Sequence, residues 1–86
     1  MALNNYRDEA RRFMLKLGNK VFDQETIIAH LEHEIARLKA NQTNKPVLDH
    51  QIYDLLFLLM ELAAHNQTDL NAEWDCDRAR KQKYYE

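Results

Sequence analysis

Two acidic residues stand where acids are costly. Asp54 lies inside the most apolar run of the chain, residues 52–60, Ile-Tyr-Asp-Leu-Leu-Phe-Leu-Leu-Met. A carboxylate there gives up water, which is unfavourable unless a cation, a hydrogen-bond network or a metal receives it. Glu34 borders the apolar stripe of the preceding helical segment, close to Leu31, Ile35 and Leu38 when each residue advances by about 100°. His30 sits one turn before Glu34 and Arg37 nearly one turn after it, while His50 and Gln51 precede Asp54 by four and three. Each of the two segments therefore presents a His-x-x-x-acid pair toward a possible shared cavity. Such a pair can hold a divalent ion, and carboxylates alone suit Mg²⁺ or Mn²⁺. A structural role fits the same residues: Arg37 pairs with Glu34 at i+3, and Asp54 is held by Tyr6, Tyr53 or a lysine.

Other chemistries have little support. Cys76 is the single cysteine, so no intrachain disulfide or cysteine metal motif is available. Flanked by Asp75 and Asp77, it lacks the positive surroundings a nucleophilic thiolate needs. One glycine in the chain leaves no glycine-rich phosphate loop. The basic run 78–83 reads as a solvated helix end or as a phosphate contact.

Four helical segments must position the acids. The first covers about residues 3–17, with Leu3, Tyr6, Ala10, Phe13, Met14 and Leu17 recurring every three or four, and Gly18 as its C-terminal cap. The second starts at Asp23 as N-cap, with Phe22 and Ile27 as a hydrophobic staple, and its stripe is Ile27, Leu31, Ile35 and Leu38. Residues 41–46 form the clearest break, ending in Pro46, which disfavours a helical Lys45. The third spans about residues 47–65 and is apolar nearly all round, the pattern of a buried helix. Three short partners hardly cover such a helix, so a homodimer or tetramer is expected, with this segment near the interface. The fourth begins near Thr68 or Asp69, with acids early, bases late, and Trp74, Tyr84 or Tyr85 as anchors.

The bulk numbers agree with one small all-α domain covering residues 1–86. The chain is 45% hydrophobic and 30% charged, with one Gly and one Pro, which leaves little turn chemistry for a sheet. A net charge of −2 provides no basic field for nucleic acid. The charged N-terminus gives no signal peptide, and the apolar run is too short for a bilayer, so a soluble cytoplasmic protein is expected.

The order of these segments resembles the MazG-like all-α nucleotide pyrophosphohydrolases. The resemblance covers nearly the whole chain. Arg12-Phe13 leading to Gly18-Asn19-Lys20 resembles the family's first helix and its exit. Residues 31–38 (Leu-Glu-His-Glu-Ile-Ala-Arg-Leu) look like the Glu-x-x-Glu motif, and residues 51–57 (Gln-Ile-Tyr-Asp-Leu-Leu-Phe) look like Glu-x-x-Asp. Residues 69–85 resemble the closing helix. In that family four acids bind Mg²⁺, which orients a triphosphate and activates water for release of pyrophosphate, in dimers or tetramers. Carried over by position, Glu34 and Asp54 match ligands, Arg37 replaces the second Glu, and Gln51 replaces the Glu of Glu-x-x-Asp. In the closing helix, where the family often places Lys and Asn against phosphate, Asp77 and Lys81 stand.

These replacements change the electrostatics. Glu34, Arg37, Gln51 and Asp54 sum to −1 +1 +0 −1, or −1, instead of the −4 of four carboxylates. An active nucleoside triphosphate pyrophosphohydrolase then needs substitutes from His30, His50 or Glu32. An inactive relative binds nucleotide or phosphate through Arg37, with Lys81 as a further phosphate contact. A dimeric interaction bundle uses Glu34, Arg37 and Asp54 as a buried polar network, in which Asp54→Asn costs about 1–3 kcal/mol.

Overall fold

The computed structural model describes residues 2–16 and 23–85. Its order is α1 (Leu3–Lys16), α2 (Gln24–Ala40), α3 (Lys45–His65) and α4 (Leu70–Tyr85), with no strand among the described residues. The expected Gly18 cap and the Phe22 half of the staple lie outside those residues. Asp23 caps α2 as expected, its Oδ1 accepting the Thr26 N–H at 2.8 Å. α3 begins two residues earlier than the pattern predicts. Lys45 is already helical because Pro46 falls in the first turn, where a missing N–H costs nothing.

α3 is the centre of the molecule, packed on α2 along one side and on α1 along another. The short turn at residues 41–44 folds α3 back antiparallel to α2. α1 also runs antiparallel to α3. Its N-terminal half reaches the end of α3, with Arg7 Nη1 donating to the Thr68 carbonyl at 2.6 Å, while Phe13 meets Phe57 edge-to-face at 5.8 Å. α4 packs on α1, clipped by Asn4, whose Oδ1 accepts the Leu70 N–H at 2.7 Å and whose Nδ2 donates to Asp69 at 2.9 Å. Asp69 also accepts the Ala72 N–H at 3.0 Å, which opens α4 where the sequence places its start. At the α3–α4 turn Gln67 takes φ 53°, and its N–H bonds to the Ala64 carbonyl while that of Thr68 bonds to Ala63. That is the Schellman closure of a helix, usually given to glycine.

The core is thin. Ala10 and Met14 of α1, Ile27 and Leu31 of α2, and Met60 and Ala63 of α3 are its buried apolar members. Three expectations change here. Ile35 is 54% exposed, and Glu34 takes the inward place assigned to it. α3 is not covered all round: Ile52, Tyr53, Leu56 and Leu59 are each about half exposed. Trp74 is half exposed and Tyr84 lies almost wholly in solvent, so neither is a buried anchor of α4, which the Asn4 clip holds to α1; the Tyr85 side chain lies outside the described ones.

Candidate functional site

On α3 the residues 51, 54, 58 and 61 recur every three or four and form one stripe, which carries Gln51, Asp54, Leu58 and Glu61. Residues 27, 31, 34 and 38 form the facing stripe on α2, so Glu34 arrives opposite α3 along with Ile27 and Leu31. Between the two helices opens a cleft of about 410 Å³ lined by His30, His33, Glu34, Asp54, Phe57 and Leu58. The two acids singled out by the sequence share one cavity.

Each has a basic neighbour from its own helix. Arg37 Nη1 donates to Glu34 Oε1 at 3.3 Å, with the Arg37 side chain 55% exposed and that of Glu34 only 16%. His50 Nε2 lies 3.4 Å from Asp54 Oδ2, with the histidine 70% exposed and Asp54 33%. Asp54 is therefore paired with His50 and not with Tyr6, Tyr53 or a lysine. Both partners are solvated, His50 carrying charge only when protonated, and solvated ion pairs contribute about 0.2–1 kcal/mol. They are displaceable.

What remains unpaired is more telling. Glu34 Oε2, Gln51 Oε1 and Glu61 Oε1 are buried and accept no hydrogen bond. Buried polar atoms without partners cost about 1–3 kcal/mol each, so three acceptors along neighbouring stripes make a local deficit of donors or cations. Among the described residues no three His, Cys, Asp or Glu side chains converge closely enough to hold a metal by themselves. Two carboxylates still fit Mg²⁺, which is commonly held by one or two protein carboxylates and completes its shell with water and phosphate oxygens.

Of the other residues expected at the site, His30 lines the cleft, while Glu32 is exposed and outside its lining. Gln51 is 3% exposed, in the wall of α3 below the helix surface. Lys81 is elsewhere, in a groove between α1 and α4 with Leu3, Leu70, Trp74 and Arg78, so one protomer does not bring it to Arg37.

Three contributors were not legible as such: His33 in the cleft lining, and Glu61 with Arg11. Glu61 is 1% exposed, and burial pushes its carboxyl above the ordinary glutamate value, with Arg11 of α1 and His30 of α2 pulling it back. Arg11 Nη1 is itself buried without an acceptor. The available signal was spacing, since Glu61 lies seven residues after Asp54 and so on the same face. Comparison with known proteins gives no match: no family model, no curated protein and no solved structure aligns significantly with this chain.

Proposed function

We propose that the chain is a MazG-like protein of the nucleotide pyrophosphohydrolase type, whose α2–α3 cleft holds a divalent cation and the phosphates of a nucleoside triphosphate. The observation that supports this most is Glu34. It has one buried carboxylate oxygen with no donor, in the same cleft as Asp54, while its other oxygen meets a solvated arginine. A divalent ion bound there supplies neutralisation of phosphate charge and acidification of a bound water. The protein's own part is positional. Glu34 and Asp54 offer anionic oxygens from two antiparallel helices, and their rigid backbones fix the spacing. Arg37, released from Glu34, has a long solvated stem and a planar fork suited to phosphate oxygens. Phe57 and Leu58 supply the apolar part of the cleft wall.

A homodimer belongs to the same proposal. The chain of 10.3 kDa exposes 6819 Å², against about 5,400 Å² for a compact monomer of that mass. The excess, about 1,400 Å², exceeds the roughly 800 Å² each partner contributes to a standard interface. Its radius of gyration, 14.7 Å, is also above the about 12 Å of a compact domain this long. Ile52, Leu56 and Leu59 form an exposed stripe on the side of α3 turned away from the cleft, and a second copy would cover it.

The Arg37–Glu34 pair favours a second reading, a relative that binds nucleotide without metal and does not hydrolyse it. One experiment separates the two. Pyrophosphate release is measured with Mg²⁺ or Mn²⁺ across NTPs and dNTPs, beside calorimetry without metal. Release from at least one triphosphate, abolished in Glu34→Gln, is the expected result. Metal-independent binding lost in Arg37→Ala, with no release, moves the conclusion to the second reading. Neither release nor binding removes both.

A further inference from the structure

The hairpin of α2 and α3 has a back as well as a cleft. On α2, His30 and His33 of the cleft lining fall on one side of the inward stripe 27, 31, 34 and 38, and Ile28 and Ile35 fall on the other. On α3, Phe57 marks the cleft side, and Ile52 and Leu59 lie about 140–160° around the helix from it. Because the two helices run antiparallel, both aliphatic pairs emerge on the same side of the hairpin. Ile35 stands level with Ile52 nearer the turn, and Ile28 with Leu59 farther from it. The four are 39–54% exposed. Leu31 and Leu55 lie between them, so no charged group interrupts this face.

We infer that this two-helix face, and not the groove between α1 and α3, receives a second copy of the chain: two hairpins pack back to back as a four-helix layer, with the two clefts opening outward on opposite sides of the dimer. The inference specifies the homodimer read above and needs nothing from the chemistry of the cleft. A two-fold contact lays one patch on its own copy, so the patch must complement itself. A level aliphatic face of two helices does so by setting the side-chain ridges of one pair into the grooves of the other. The α1–α3 groove is a hollow of about 460 Å³ with Tyr6, Phe13 and Tyr53 around it, and two hollows laid together leave a void instead of a packed core. The surplus surface of about 1,400 Å² per chain covers the roughly 800 Å² that one partner gives to a standard interface. Every residue lining the cleft comes from one chain and none stands on the shared face, so each cleft is complete without the partner.

The isoleucines make the test direct, because the chain has only four. Ile27 is fully buried within the protomer, and Ile28, Ile35 and Ile52 all stand on the face. The full chain with ¹³C-labelled isoleucine methyls is diluted from millimolar to micromolar concentration while sedimentation reports its mass. The three face methyls are expected to shift along one curve that matches the sedimentation dissociation constant, and a soluble nitroxide should broaden them less in the dimer. Ile27 should stay as it is. Ile28→Asp with Ile35→Asp, both at exposed positions, is expected to raise the dissociation constant at least about tenfold, whereas Tyr6→Asp in the groove leaves it unchanged. A dimer whose face methyls stay open to the nitroxide, while the ring signals of Tyr6 and Phe13 move on dilution, overturns the inference and leaves the homodimer standing. A chain that sediments as a monomer throughout overturns both, and leaves the cleft to the pyrophosphate measurement.

Discussion

The two sides of α3 contradict the usual division of a helix. The side turned toward α1 and α2 carries Gln51 at 3% exposure and Glu61 at 1%, with Asp54 between them at the cleft. The side turned away from the cleft carries Ile52, Leu56 and Leu59 at 49–52%, with Leu56 also lining a groove against α1. Polar groups are buried alongside Met60 and Ala63, while three large apolar side chains stay half exposed. Each side has an unmet requirement, and the requirements differ. Burying the outer stripe fully would stabilise by about 1 kcal/mol per half-exposed side chain, a non-directional gain any apolar surface can supply. The inner stripe lacks specific donors or cations at particular oxygens, which only a ligand of the right charge can provide. One helix thus carries a surface for a partner and a site for an ion.

The largest effect is expected from breaking the outer side. Ile52→Asp with Leu59→Asp should weaken self-association by at least about a hundredfold, near 3 kcal/mol, read by sedimentation against wild type. A wild-type chain already monomeric at micromolar concentration would remove the outer half of the contrast.

The inner side is sharpened by restoring its acids. Arg37→Glu with Gln51→Glu takes the four-residue sum from −1 to −4. Because Gln51 is buried, the metal-free double variant should melt lower than wild type by about 2–3 kcal/mol of stability. Mn²⁺ should return more than that loss, since binding only to the folded state adds about 1.4 kcal/mol per tenfold excess over Kd. A variant destabilised equally with and without Mn²⁺ would show that Glu34 and Asp54 do not form a cation site.

Proton linkage gives the third comparison, and its sign differs between groups. Glu61 has its pKa raised from 4.5, chiefly by burial, so the folded state takes up its proton more readily than the unfolded chain. Its contribution is full below 4.5 and is lost as pH rises through the higher folded value. Asp23 and Asp69 behave oppositely. Both are lowered from 3.8, first by side-chain hydrogen bonds with Thr26 and Asn4, so their contribution is present above 3.8 and lost as pH falls through the lower folded value. In chemical melts, Glu61→Gln should remove the decline on the alkaline side of 4.5 and leave the acid limb in place. An unchanged pH profile would mean that Glu61 is not the buried acid responsible.

The smallest effect is expected from Asp54→Asn. With Asp54 33% exposed and its histidine partner in solvent, the metal-free change should be about 0.5 kcal/mol by denaturant titration. That is below the 1–3 kcal/mol expected for a buried network. A larger loss would indicate that Asp54 is buried in the assembled protein.

Much of the fold was legible in the residues. The Asp23 cap, the opening of α4 at Asp69 and the polar turn after α2 are local devices, and each formed where its side chains dictate. The pairing of Glu34 with Asp54 in one cleft was also legible, because helical spacing puts both on inner stripes. The failures have separate causes. Ile35 and Glu34 differ by 100° of rotation, and which one faced inward was decided by how α2 rolled against α3. Pro46 read as a stop but acted as a start, since a first-turn residue owes no hydrogen bond.

Sequence by itself determined four helices, the Asp23 cap, and the presence of two acids at apolar borders, because these follow from neighbours within one turn. Tertiary structure decided which faces met. It left Ile52, Leu56 and Leu59 half exposed, brought Glu34 and Asp54 to one cleft, and put Glu61 within the influence of residues of two other helices. The physical reason is that spacing fixes angles within a helix, whereas burial depends on the roll and crossing of helices against one another. Asp54 and Glu61 lie on one face of α3, and packing alone left the first at a cleft and sealed the second beneath it.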